Sequence, residues 1–206
     1  MKIFRLTTNY QPYVDSFYRK QPQLRNKSFS EQYSAFFEDC YGWAGHWEKP
    51  LARLGYELFE PISNALPLQT AWWRENETSA LPSDPKMLRD TIIATQIRKY
   101  QPEILFIDDH VSFSKDFIMN LRNTIPSIKV VIGWCGAASG DSPPFQAYDL
   151  LLSNIPDLAT EFSRLGYKAK VMRHAFSTRI LERLPATSAK AIPFSFVGSL
   201  IKGRDF

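Results

Sequence analysis

Ile104-Leu105-Phe106-Ile107-Asp108-Asp109-His110 is the stretch that decides the fold. It is a short, wholly apolar run that stops abruptly at three polar residues. A strand with one face in water alternates apolar and polar side chains. A run without alternation fits a central strand of a parallel sheet, covered by helices on both faces. The flanks agree with that reading. Upstream, Asp84-Pro85 is a helix start, an N-cap acid followed by proline at the first helical position. Leu88, Ile92, Ile93, Ile97 and Tyr100 then lay an apolar stripe along residues 86–100, and Pro102 ends it. Downstream, Ser114 suits the cap of a helix bearing Phe117, Ile118 and Leu121. Residues 129–132 form the next strand, ending at Gly133-Trp134-Cys135-Gly136.

The same alternation extends in both directions. Residues 2–8 read as a first strand, and residues 11–30 as a stretch too long for an ordinary loop, functional or partly helical. Residues 31–54 are mostly helical in pattern. Ala44, Trp47, Leu51 and Leu54 are spaced for one face, and Gly55 sits where a C-cap glycine belongs. A strand at 56–61 and a segment 64–77 carrying Gln69 and Trp72-Trp73 precede Asp84. After the Gly-, Ser- and Pro-rich loop 137–144 come a strand at 148–152, a helix at 157–165 with Leu158, Phe162 and Leu165 on one side, and a strand at 169–172. Phe162-Ser163-Arg164-Leu165-Gly166-Tyr167 echoes Leu51-Ala52-Arg53-Leu54-Gly55-Tyr56, two helix ends turning sharply into strands. Helices alternating with buried strands specify an α/β fold, a Rossmann-like doubly wound parallel sheet flanked by helices. Residues 1–178 are read as this domain, 179–192 as a polar connector, and 193–206 as the start of a second domain cut short after its first strand, Phe194-Ser195-Phe196-Val197.

Composition narrows the function. At 206 residues and 44% hydrophobic content the chain can bury a sizeable core. No apolar run approaches the roughly 18 residues of a membrane span, and Met1-Lys2-Ile3-Phe4-Arg5-Leu6 is no signal peptide, which points to a soluble, cytoplasmic protein. Cys40 and Cys135 have no motif spacing and read as two buried thiols. Up to Ser163 there are 16 Lys and Arg against 19 Asp and Glu; from Arg164 onward there are 9 against 2. That basic C-terminal quarter is suited to a phosphorylated ligand or to peripheral contact with an anionic membrane surface, or is simply a solvated face. The basic residues form no run and no nucleic-acid recognition motif is present.

Ligands of open α/β sheets gather outside the carboxyl ends of the strands, and that rule selects the candidate site. Asp108, Asp109 and His110 place carboxylates beside an imidazole, a combination able to take a proton from a hydroxyl; the alternative is that one Asp caps the following turn. Asn9 follows the first strand, and Asn64 the second. Trp134 follows a strand among glycines and offers a stacking face, while core packing is the alternative for it and for Trp43, Trp47, Trp72 and Trp73. His174 stands at the last strand end, and His46 near a helix start where backbone N–H groups bind anions; either is equally open to a purely structural role. Gly133 and Gly136 do not make a dinucleotide loop. There is no phosphate-binding Walker motif, no nucleophile elbow and no metal-ligand spacing.

Several short segments, in order, resemble a family. Leu54-Gly55-Tyr56-Glu57, Asn64, Leu68-Gln69, Trp72 and Gln101-Pro102-Glu103-Ile104-Leu105 come first. Tyr148-Asp149-Leu150-Leu151-Leu152-Ser153-Asn154, Pro156-Asp157-Leu158, Leu165-Gly166-Tyr167, His174-Ala175-Phe176 and Phe196-Val197-Gly198-Ser199-Leu200 follow. Together they are similar to the middle of bacterial GT-B glycosyltransferases of the spore-maturation and surface-polysaccharide type. The resemblance implies two facing Rossmann-like domains, the N-terminal one binding a glycan or lipid-linked acceptor and the C-terminal one a nucleotide sugar. It implies catalysis without a metal or cofactor, the nucleotide sugar being substrate. Asp108, Asp109, His110 and His174 would line the cleft, and Gly198, Ser199 and Lys202 would meet the donor. The acidic residue that holds the donor ribose in this family would lie beyond Phe206, so the fragment by itself is expected to be inactive. Two other functions stay open: a stand-alone flavodoxin-like module that binds a ligand or protein without catalysis, and a GT-B-type sugar-nucleotide epimerase.

Overall fold

A computed structural model describes residues 1–137 and 140–184. The chain divides into two compact units, Met1–Phe176 and Ser177–Phe206. Of the second, the described residues hold one short helix, Thr178–Leu181, within the stretch read as a polar connector. The donor-side strand expected at 194–197 lies outside the described residues.

The first unit is built on six parallel strands: β1 (Lys2–Leu6), β2 (Glu57–Phe59), β3 (Ile104–Ile107), β4 (Val130–Trp134), β5 (Leu150–Ser153) and β6 (Ala169–Val171). Their spatial order is β2-β1-β3-β4-β5-β6. The fold is therefore the doubly wound α/β architecture expected from the alternation. Leu6 is level with Ile107, and Ile107 with Gly133, so β1, β3 and β4 end at the same height. From β1 the chain winds outward to β2, then crosses back over β1 to begin β3. The carboxyl ends of β1 and β3 thus flank the switch point where an open sheet leaves a crevice.

Both faces of the central strands are covered, which is why Ile104–Ile107 needs no alternation. Phe4, Leu6, Leu105, Ile107 and Val131 share one cluster with Ile93 and Ile97 of helix α5 (Pro85–Tyr100) and Ile118 and Leu121 of helix α6 (Lys115–Thr124). On the opposite face, Phe106 meets the Trp47 ring at 5.0 Å. Helix starts follow the capping residues: Asp84 accepts from the Met87 N–H at 2.8 Å, and Ser114 from that of Phe117 at 3.2 Å. The two Leu-Gly-Tyr turns are one motif. Gly55 and Gly166 take φ of +81° and +93°, and Tyr56 and Tyr167 each donate a backbone hydrogen bond five residues back, to Leu51 and Phe162.

The stretch 11–30 is in part helical, as expected: it holds helix α1 (Gln11–Lys20) and a 3-10 turn, Pro22–Asn26. Other expectations are corrected. The helical pattern over 31–54 is two helices, α2 (Phe29–Asp39) and α3 (Glu48–Arg53), because Cys40, Gly42 and Gly45 all take positive φ and break the run; helix α4 (Leu66–Asn76) carries Gln69 and Trp72-Trp73. The stripe through Ala44, Trp47, Leu51 and Leu54 therefore does not exist as a face, and Leu54 is 72% exposed. Leu165, read as part of a buried stripe, is the exposed C-cap residue of helix α7 (Pro156–Arg164). Of the two thiols, Cys135 is buried and Cys40, at the left-handed end of α2, is half-buried. No helix among the described residues is long and apolar enough to cross a membrane.

Candidate functional site

A cleft of about 550 Å³ opens at the carboxyl ends of β1 and β3. That volume is in the range of small-molecule sites. Thr7, Thr8, Asn9 and Tyr10 continue β1 into one wall, Asp108 and Asp109 continue β3 into the floor, and Trp134 closes β4. Tyr41, Gly42 and Trp43 come from the loop between α2 and α3, the break that the helical pattern concealed.

Beneath the cleft lies a charge cluster. Arg5, in the middle of β1, is 0% exposed. Its Nη1 donates to Glu60 Oε2 at 2.8 Å and to the Trp43 carbonyl at 3.3 Å. Its Nε and Nη2 both donate to Asp108 Oδ2, at 2.9 and 2.6 Å. The guanidinium lies 4.2 Å from the Trp47 ring centre and 5.7 Å from that of Trp43. Glu60 in turn accepts from the Gly45 N–H at 2.8 Å. A fully desolvated guanidinium has to be paired and hydrogen-bonded to persist. Here its partners are the ends of β2 and β3 and the loop that supplies Tyr41 and Trp43, so one side chain ties three walls of the site together. Burial pushes the Glu60 carboxyl up to about 7 against the pull of Arg5. Burial also raises Asp108, opposed by Arg5 and by a hydrogen bond from Thr7.

Asp109 has a different environment. Its Oδ1 accepts from the Val111 and Ser112 N–H groups at 3.0 and 2.9 Å, and its Oδ2 from Thr8 Oγ1 at 2.6 Å. Burial opposes its charge, yet the bonds from Ser112, Thr8 and Val111 outweigh that and hold its pKa below the usual carboxylate value. Asp109 is thus both a turn cap and an ionised wall of the cleft. Asn9 is fixed by a reciprocal clasp: its N–H donates to Asn64 Oδ1 at 3.0 Å, and Asn64 Nδ2 donates to the Asn9 carbonyl at 2.7 Å.

The structure gathers Asn9, Asp108, Asp109 and Trp134 in one cleft. His174 joins their edge, with its ring 5.3 Å from Trp43 and 6.2 Å from Trp134. His110 turns away: its ring lies against Phe145 at 5.3 Å and hydrogen-bonds the Trp134 backbone, and burial lowers its pKa despite Asp109 nearby. His46 lies in the loop before α3 and does not line the cleft. Gly198, Ser199 and Lys202 lie outside the described residues. The glycines beside Trp134 serve packing. A Cβ on Gly133 would sit 2.1 Å from the Tyr148 ring, and one on Gly136 would sit 2.2 Å from the Trp134 ring. The Trp134 indole N–H has no hydrogen-bond acceptor among the described residues. Among those residues no group of three or more His, Cys, Asp or Glu is placed to hold a metal ion.

Arg5, Glu60 and Tyr41 belong to the site without being among the positions that the carboxyl-end rule selects from the sequence. The signal for Arg5 was present: a charge inside the apolar strand Ile3-Phe4-Arg5-Leu6 has to find a buried partner. No family model, curated protein or solved structure matches the chain. Its function therefore has to come from the chemistry of the cleft.

Proposed function

We propose that this chain is the acceptor-binding domain of a glycosyltransferase that moves a sugar from a nucleotide sugar to a glycan or other hydroxyl-bearing acceptor. The observation that carries the proposal is the lining of the switch-point cleft, where rings of Tyr10, Tyr41, Trp43 and Trp134 stand beside Asn9, Thr8, Asp108 and Asp109. Sugars present apolar ring faces and a belt of hydroxyls, and that pairing of aromatic faces with amide, hydroxyl and carboxylate groups suits both. In this reading Asp108 takes the proton of the attacking acceptor hydroxyl. It lines the cleft and its desolvation brings its pKa nearer the working range, while Arg5 fixes the carboxylate. Asp109, ionised and anchored on its turn, accepts a second acceptor hydroxyl. The nucleotide sugar, held by the facing domain, supplies the anomeric carbon.

The test uses the natural full-length chain, incubated with UDP-, GDP- and TDP-sugars and a panel of saccharide acceptors. Acceptor-dependent release of the nucleoside diphosphate is expected. Asp108→Asn should reduce it by about 10²–10⁴-fold, the usual contribution of a general base. If none of the nucleotide sugars binds or turns over, the reading is wrong. The sheet order β2-β1-β3-β4-β5 is also that of flavodoxin-like binding modules. Saturable ligand binding in the cleft with no turnover of any nucleotide sugar would favour that second reading.

A further inference from the structure

The cleft has a sign as well as a shape. Among the described residues no Lys or Arg lines it. Beneath it Arg5 is fully buried and commits four hydrogen bonds to Asp108, Glu60 and the Trp43 carbonyl. Even with Glu60 protonated, Asp108 alone balances Arg5, and the ionised Asp109 is left over. Asp109 is half-buried, where its field is screened less than on an open surface.

The aromatic rings act in the same direction. Trp43 and Trp134 meet edge to face at 4.5 Å, and both line the cleft together with Tyr41. Tyr41 is held in place by parallel stacking on Tyr13 at 3.6 Å. Ring faces carry partial negative charge and attract cations, and several rings around one cavity are the arrangement that recognises alkylammonium groups. A phosphate brought into the same space would meet a carboxylate and aromatic rings, with no Lys or Arg among the described lining residues to receive it.

We infer that this cleft selects a ligand bearing a positively charged amine, such as an amino sugar, and discriminates against phosphorylated ligands. The identification of the amine carrier as a sugar rests on the acceptor-site reading above; the charge preference does not. It also divides the labour in a transferase, leaving the anionic diphosphate to be recognised outside this cleft.

Calorimetric titration at pH 7 with four probes tests the inference: glucosamine, glucose, glucose 6-phosphate and tetramethylammonium chloride. Glucosamine should bind at least about tenfold more tightly than glucose, and glucose 6-phosphate more weakly than both. The preference should shrink as ionic strength rises from 0.05 to 0.5 M, since it is electrostatic. Asp109→Asn should remove most of it, and the salt series carries the test if that variant does not fold. Equal binding of glucosamine and glucose overturns the amine preference while leaving the sugar reading standing. Tetramethylammonium binding without any sugar binding supports the charge preference and sinks the acceptor reading. Tightest binding by glucose 6-phosphate, or no binding by any probe, overturns the inference.

Discussion

Replacing Arg5 with Met keeps an unbranched apolar stem but removes the guanidinium, and with it the charge that two buried carboxylates depend on. The Asp108 side chain is 9% exposed and Glu60 is 1% exposed, so neither can recover its hydration without distortion. The least costly response is protonation. Glu60, already near 7, is half-way there at neutral pH. Asp108 follows: keeping neutral a carboxyl whose ordinary pKa is 3.8 costs at most about 4 kcal/mol at pH 7, at about 1.4 kcal/mol per pH unit, and burial in the parent already carries part of it. This agrees with the roughly 3–5 kcal/mol lost when one partner of a buried ion pair is removed. Because the penalty is a protonation cost, it should fall to less than about 2 kcal/mol at pH 5. Urea denaturation of the parent and Arg5→Met chains at both pH values measures it. A loss below about 1 kcal/mol at pH 7, or the same loss at pH 5, would refute the picture of Arg5 as the charge that fixes the cleft floor.

Two further outcomes are expected. The folded pKa of Glu60, about 7, lies above its ordinary 4.5, so the folded state keeps a proton that the unfolded chain releases. Stability should therefore decline from about pH 4.5 to 7, by up to about 3 kcal/mol from this residue. In Glu60→Gln that part of the decline should vanish, and parallel pH–stability curves for parent and variant would contradict it. Gly133→Ala should destabilise by about 1–3 kcal/mol, because the added Cβ would sit 2.1 Å from the Tyr148 ring; unchanged thermal unfolding would show that the ring is not pinned there.

Much of the architecture was legible because it is local. The apolar run at Ile104–Ile107, the caps at Asp84 and Ser114, and the two glycine turns each declare themselves within a few residues. Gly42 and Gly45 mark the break after α2 in the sequence, but the helical spacing of Ala44, Trp47, Leu51 and Leu54 masked it, and Cys40, where α2 stops, takes the left-handed conformation usual for Gly and Asn. The strand-end rule found Asn9, Asp108, Asp109 and Trp134, since the sheet places them whatever their neighbours do. It could not find the Arg5 cluster. Arg5 is separated by 55 residues from Glu60 and by 103 from Asp108, and such pairings exist only after β1, β2 and β3 have assembled. It also could not tell that His110, adjacent to Asp109 in sequence, turns toward Phe145 instead of the cleft.

The central claim, that the β1–β3 crevice is the ligand site, is tested most directly through the five tryptophan indole N–H resonances in a ¹H–¹⁵N spectrum. Trp43 and Trp134 line the cleft, whereas Trp72 and Trp73 pack against Ile92 in a separate cluster. On titration with glucose and glucosamine, the account predicts that the Trp43 and Trp134 signals move together along one saturable curve while those of Trp72 and Trp73 stay fixed. Stationary Trp43 and Trp134 signals, or a saturable shift confined to Trp72 and Trp73, would contradict it.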